Sequence, residues 1–276
     1  MKKVLVQGII TVLLFFVSWL SLTQIDWIEV FEIKQTTVQT EQKLGELFWE
    51  SFKNNKEEID NAYVISSIDS IITHVCKANK ISKETIKVHI LNRDEINAFA
   101  LPNGHLIVYT GLILNSDNQD ELTGVLCHEI AHIELDHVMK KLIKEVGLSI
   151  LISLTTGNNS ANVMKETAKV LSSSAFDRSL EKEADRRAVD LMVNAKVNPE
   201  PLAEFLYKLS LNKHEISKYL TWISTHQDSK QRAEDIIKYS NGKSTYYEPI
   251  LFEETWAKIK VELKYRSDKQ AATFSN

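Results

Sequence analysis

The rhythm of apolar positions changes several times along the chain, and each change predicts an element. Val4 to Leu22 carries no charged residue, with Lys2 and Lys3 before it and Asp26, Glu29 and Glu32 after it. That length matches the ~20 residues a helix needs to cross a hydrocarbon core. Glu41 to Lys80 reads as helical, with apolar residues at helical spacing from Ile59 to Ala78. Ile86 to Asn92 alternates like a strand, and Asn97 to Ile113 predicts a strand, a Pro-Asn-Gly turn and a second strand. Ser116 to Val146 predicts one long helix with a polar cluster to cap it. Gly147 to Gly157 is apolar but too short to span a membrane, and reads as core. Helices are predicted over Ala161 to Ser174 and Arg178 to Ala195, from Asn198-Pro-Glu-Pro201 to Leu211, and from Ser229 to Tyr239. The polar end from Ser267 reads as frayed. The fold class is mainly α with a small β-sheet (α+β).

Two lysines on the near side of the apolar run favour a cytoplasmic Met1 and place the rest of the chain across the membrane. Val17-Ser-Trp-Leu-Ser-Leu-Thr-Gln24 shows no clear A-x-A cleavage site, which favours an uncleaved signal anchor over a cleaved signal peptide. Either way the body is expected on the non-cytoplasmic side, in the periplasm or cell envelope, exported and soluble if the segment is removed. Trp19 and Trp27 suit an interface. The chain divides into the N-terminal segment 1–24, a juxtamembrane helical segment 25–60, a main domain 61–245 and a C-terminal tail 246–276. A net charge of −4 leaves no basic footprint for nucleic acid. Cys76 and Cys127 form no CxxC pair and are too few for a disulfide scaffold; Cys127 reads as a buried hydrophobe.

The chemistry concentrates in Leu126 to His137, LCHEIAHIELDH. His128 and His132 are four apart, so on a helix they differ by about 40° in azimuth and project from one face. Two imidazoles so placed can hold one Zn²⁺, and Glu129 is placed to accept a proton from water rather than to bind the metal. His137 follows His132 by five residues, a rotation of about 140°, and reads as a helix-end residue or one that supports a ligand from behind. Leu122, Val125, Leu126, Ile130 and Ile133 are apolar, so the helix is expected to be buried, and buried His and Glu need partners. Ser179 to Met192 offers them. Glu181 shares a face with Ala184 and Asp185, and a small Ala184 lets the two helices approach. Glu181 is therefore the best third ligand and Asp185 the best orienter of an imidazole. Glu183 points away, as a solvated charge.

Four segments, NAFALPNGHLIVYTGLI, ELTGVLCHEIAHIELDH, FDRSLEKEADRRAVDLM and STHQDSKQRAEDI, resemble the membrane-associated zinc endopeptidases of the HtpX, BepA and CAAX prenyl protease family. The likeness runs from about Ala62 to Tyr239 and is nearest to the BepA and Oma branch, whose catalytic domain is soluble. It implies a zincin-like fold with HExxH on a central active-site helix. It also implies one Zn²⁺ per chain on His128, His132 and Glu181, with Glu129 as catalytic base and proteins or peptides as substrates. Within the resemblance, Thr225-His226 and Arg232 acquire meaning, His226 as a switch over the zinc and Arg232 beside it; Gln227 stands where the family commonly has Pro. A substrate in extended form is expected to add to His105, Leu106, Ile107, Val108 and Tyr109 if that strand is an edge. His74, His89, His105 and His214 read as ordinary structural or surface residues. Two other classes stay open, a membrane-anchored chaperone-like module with structural or latent zinc, and a metal-free anchor protein.

Overall fold

The computed structural model describes residues 2–24, 33–53, 58–157, 161–173, 175–211, 222, 226, 229–243 and 246–274. They fall in two compact units, Met1–Glu41 and Gln42–Asn276. In the first, helix α1 (Lys2–Gln24) is 23 residues long. Counting described residues only, no helix is long and apolar enough to cross a membrane. The side chains from Ile10 to Trp19 on α1 are exposed. Trp27 lies outside the described residues. Helix α2 (Ile33–Lys53) starts in the first unit and ends in the second.

The second unit is mainly helical around a three-stranded sheet. Its strands are β1 (Lys87–Leu91), β2 (Ala98–Ala100) and β3 (His105–Tyr109), in the order β1-β3-β2, with β3 parallel to β1 and antiparallel to β2. β3 is therefore the central strand, and a substrate cannot add to His105, Leu106, Ile107, Val108 and Tyr109 as it would to an edge. Both sides of β3 are already hydrogen-bonded, and all five residues are buried. The Pro102-Asn-Gly104 turn makes this order possible by folding β2 back on β3. Gly104 has φ +69°, and a Cβ there would run into the Thr85 carbonyl oxygen. β1 has its outer side covered by Glu58, which bridges Leu91, and by the Ile59 N–H, which donates to the Ile90 carbonyl. The open edge among the described residues is β2.

Alternation along β3 feeds two cores. Leu106 and Val108 join Ile68 and Ile72 of α3 (Ala62–Asn79) and Leu122 and Leu126 of α5 (Gln119–Glu134). Ile107 and Tyr109 face the other way, with Leu44 and Phe48 of α2 and Leu142 of α6 (His137–Glu145). Between strand and helix, α4 (Thr110–Asn115) begins where the second strand was expected to continue. Gly111 lies so close to the Asp94 and Glu95 carbonyls that a Cβ would collide with them.

Helix α5 is the centre of the unit. Asn118 caps it, its side chain accepting from the Glu121 N–H. Every residue from Glu121 to His132 is buried. It packs against α9 (Arg178–Asn194) and α10 (Glu200–Leu211). Gly124 sets the approach to α10, since a Cβ would lie 2.7 Å from Leu202 Cβ. The long helix expected over 116–146 is broken at Asp136, which is left-handed at φ 55° and ψ 25°. The helical stretch expected over 41–80 is also interrupted: α2 stops at Lys53, and Asn61 caps a new helix by accepting from the Tyr63 and Val64 N–H groups. Beyond α6 come α7 (Leu148–Thr155), with Leu151 and Leu154 buried and Ile150 exposed, α8 (Ala161–Ser173) and α11 (Ser229–Ser240). The C-terminal segment is not a loose tail: α12 (Glu253–Phe274) places Ile259 and Leu263 in the core beside α3.

Candidate metal centre

On the buried helix α5, His128, Glu129 and His132 are each 0% exposed. The Nε2 atoms of His128 and His132 are 3.0 Å apart. The first turn of α9 brings Glu181 to them, with Oε2 3.5 Å from His128 Nε2 and Oε1 3.5 Å from His132 Nε2. His226 closes the group: its Nδ1 is 3.0 Å from Glu181 Oε1 and 3.3 Å from His128 Nε2. One donor atom from each of His128, His132, Glu181 and His226 lies within 4.8 Å of all the others, and among the described residues this is the one group able to hold a metal ion. Glu129 stands beside it. Neither of its oxygens has an aligned hydrogen bond, and Oε1 is 3.3 Å from His226 Nε2. Two imidazole nitrogens 3.0 Å apart can share only one proton or one cation. A buried, unpartnered carboxylate adjoining them fits a cation and an attacking water.

Each donor is held from behind. Asp185, one turn after Glu181 on α9, places Oδ1 3.1 Å from His128 Nδ1, a charge contact without an aligned hydrogen bond. Arg232 of α11 grips Asp185 bidentately, its Nε donating to Oδ2 at 2.8 Å and Nη2 to Oδ1 at 2.7 Å, while Nη1 is 2.5 Å from Glu181 Oε2. His132 has Phe176 stacked on it at 4.0 Å, and His226 has Trp222 stacked on it at 4.4 Å. Lys141 of α6 sits with Nζ 4.2 Å over the Phe176 ring. His105, by contrast, is on the far face of the sheet, stacked on His89 at 5.1 Å. Thr225, Gln227 and His214 lie outside the described residues.

The profile of peptidase family M48 matches residues 62–240. The chain belongs to peptidase family M48. It is 30% identical over 210 residues to the mitochondrial metalloendopeptidase OMA1 of Bos taurus, covering 69% of this chain and 40% of that protein. With the beta-barrel assembly-enhancing protease of Escherichia coli (strain K12) it shares 24% identity over 218 residues, 74% of this chain and 45% of the relative. The chain thus spans less than half the length of either. The likeness to the BepA and Oma branch stands, and so does the mainly α, zincin-like fold with HExxH on its central helix.

Charge in the M48 site is arranged by burial and by neighbours. Burial pushes the Glu129 carboxyl up to about 8. Burial drives His226 down to about 4 and His132 well below the usual imidazole range. His128 goes the other way: burial opposes its charge, but Asp185 and then Glu181 lift it to about 9. Against burial, Arg232 and His226 hold Glu181 well below the usual carboxylate range. Arg232 is thereby committed to the two carboxylates rather than free to face a substrate. Periodicity places His128, Glu129, His132, Glu181 and Asp185. It does not point to Phe176, Lys141 or Trp222, whose ring and cation contacts follow from tertiary packing rather than from helical spacing.

Proposed function

We propose that this chain is a zinc-dependent metalloendopeptidase that hydrolyses peptide bonds in proteins of the cell envelope. The observation that carries this is the convergence of His128 Nε2, His132 Nε2 and a Glu181 oxygen beside a buried Glu129 whose oxygens have no aligned hydrogen bond. His128, His132 and Glu181 would hold one Zn²⁺, as the first two imidazoles and a carboxylate do in catalytic zinc sites. When bound, zinc supplies Lewis acidity, polarising the scissile carbonyl and acidifying water. Glu129 would accept the proton of the attacking water and return it to the leaving amine; its place beside the converging donors, with no aligned hydrogen bond to either oxygen, suits it to this exchange. Asp185 fixes the His128 ring, and Arg232 neutralises both carboxylates so that they can remain charged in a buried site. The extended substrate docks on the free edge of β2, which packs beside α5, rather than on β3.

His226 supports a resting state in which its Nδ1 takes the place of substrate and water. The same four donors favour a second reading, a closed structural site. Against it stands Glu129, a buried carboxylate that a structural site does not need. Attachment to the membrane through Val4–Leu22, with Gln42–Asn276 on the non-cytoplasmic side, belongs to the same proposal and rests on the apolar run and its charged flanks.

The test is zinc content and casein cleavage by the full chain and by Glu129→Gln. The expected result is one zinc in both and cleavage lower by about 10²–10⁴-fold in the variant, the usual worth of a general base. Equal cleavage would remove Glu129 as the base. Zinc without cleavage in either, and none gained in His226→Ala, would favour the structural site.

A further inference from the structure

His137 is buried to 0% exposure, and the mechanism leaves it without a task. On a continuous helix its ring would lie about 140° from His132. The left-handed residue Asp136 cancels that rotation. It ends α5 at Glu134, starts α6 at His137 and turns the His137 ring back, so that its Nδ1 is 3.0 Å from His132 Nδ1. Asp136 is one of four non-glycine residues with positive φ among those described, a conformation Asp tolerates better than most.

We infer that His137 is a positioning residue that fixes the tautomer and ring angle of His132 for metal binding. This rests on the metallopeptidase proposal above. His132 turns Nε2 towards His128 and Glu181, so a metal there requires its proton on Nδ1. That Nδ1–H needs an acceptor, and the atom facing it is His137 Nδ1. His137 must then be neutral, with its own proton on Nε2, which lies 3.4 Å from Glu183 Oε2 without an aligned hydrogen bond. The two ligand imidazoles are thus oriented by different chemistry. A carboxylate tied to an arginine holds His128, and an uncharged imidazole holds His132. Glu183, with its side chain 55% exposed, is a weak terminal partner.

The full chain is assayed for zinc affinity by chelator competition and, with Co²⁺ as probe, for its visible spectrum. His137→Phe, which keeps an aromatic ring and removes the acceptor, is expected to bind zinc about 10–100-fold more weakly, as loss of an orienting partner does elsewhere. His137→Asn, whose Oδ1 can stand where Nδ1 stood, is expected to recover most of that affinity and the wild-type cobalt spectrum. Asp136→Gly keeps the left-handed turn and is expected to bind as wild type. In zinc-loaded wild type, NMR is expected to show a nitrogen–nitrogen coupling between His132 Nδ1 and His137 Nδ1 across the hydrogen bond. This readout needs no variant, should His137→Phe fail to fold. Unchanged affinity in folded His137→Phe, or no such coupling in a zinc-loaded wild type, overturns the positioning role and leaves the metallopeptidase proposal standing. A wild type that takes up no zinc overturns both.

Discussion

Among the described residues histidines cluster in two places, a pair on the sheet, one half-buried and one buried, and the buried group around α5, and they are built on opposite plans. On the far face of the sheet, His89 and His105 stand in a line. Glu58 Oε1 is 3.3 Å from His89 Nδ1, His89 Nε2 is 2.9 Å from His105 Nδ1, and His105 Nε2 is 3.3 Å from Lys87 Nζ and 3.4 Å from Glu46 Oε1. Trp49 stacks on His89 at 3.6 Å. Every ring nitrogen has a neighbour of its own, and the donors point along the chain rather than at one point. In the M48 site, four donors converge, and the carboxylate beside them has no aligned hydrogen bond, its Oε1 lying 3.3 Å from His226 Nε2. Convergence and unsatisfied atoms therefore separate a reactive site from a structural one. The number of histidines does not.

The largest contrast is expected on removing a ligand. His128→Ala or Glu181→Ala is expected to weaken zinc binding by more than about 100-fold, the upper end for losing a mere supporting partner, and to abolish cleavage. His89→Gln combined with His105→Gln is expected to leave zinc content and cleavage unchanged. Metal analysis and casein cleavage on the same preparations decide it, and zinc lost from the sheet-face variant would erase the distinction.

Next in size is the cation behind the site. Arg232 is buried against two carboxylates, and its removal leaves Asp185 and Glu181 as uncompensated charge. Arg232→Ala is expected to destabilise the zinc-free protein by about 3–5 kcal/mol in urea unfolding, the usual consequence of breaking a buried pair. Zinc is expected to recover part of that loss, because a divalent cation takes over some of the charge on Glu181. Lys87, which pairs with Glu46 at a half-exposed position, is the matching cation on the sheet face. Lys87→Ala is expected to lose no more than about 1 kcal/mol.

How much of this is legible in the sequence follows from which contacts are local. A period of 3.6 residues puts His128 and His132 on one face, and Glu181, Ala184 and Asp185 on another. The same period misplaces His137, because one left-handed residue, Asp136, resets the helix and leaves no signature beyond its residue type. β3 could not be placed at the centre of its sheet from alternation, since strand order depends on where β1 returns from, and that is a non-local fact. The helix α12 has Trp256, Ile259 and Leu263 at helical spacing, but its many charges make that stripe narrow enough to read as tail. Arg232 and His226 drew meaning only from the family resemblance. The structure brings them to the site through α11 and the segment before it.

The smallest expected effect is a pH dependence seated in the sheet-face pair. Burial is the leading cause that lowers both imidazoles, His105 to about 4, with Lys87 lowering it further; Glu58 and Glu46 pull the other way. A histidine whose folded pKa lies below its unfolded value near ~6.5 is neutral in the fold. The unfolded chain then takes up protons first as pH falls. Stability from this pair is complete above about pH 6.5 and declines as pH drops towards about 4. The loss falls on the packing of α2 against the sheet, through Trp49 and Glu46, and not on α5. Urea unfolding of zinc-free protein at pH 7.5 and pH 5 is expected to show a shallower decline in the variant with both His89→Gln and His105→Gln than in wild type. The zinc-site groups titrate alike in both proteins, so the difference between the two slopes isolates the pair. Parallel slopes would mean that the line of hydrogen bonds from Glu58 to Lys87 keeps its hold when protonated, and the pair would then differ from the metal centre in geometry alone.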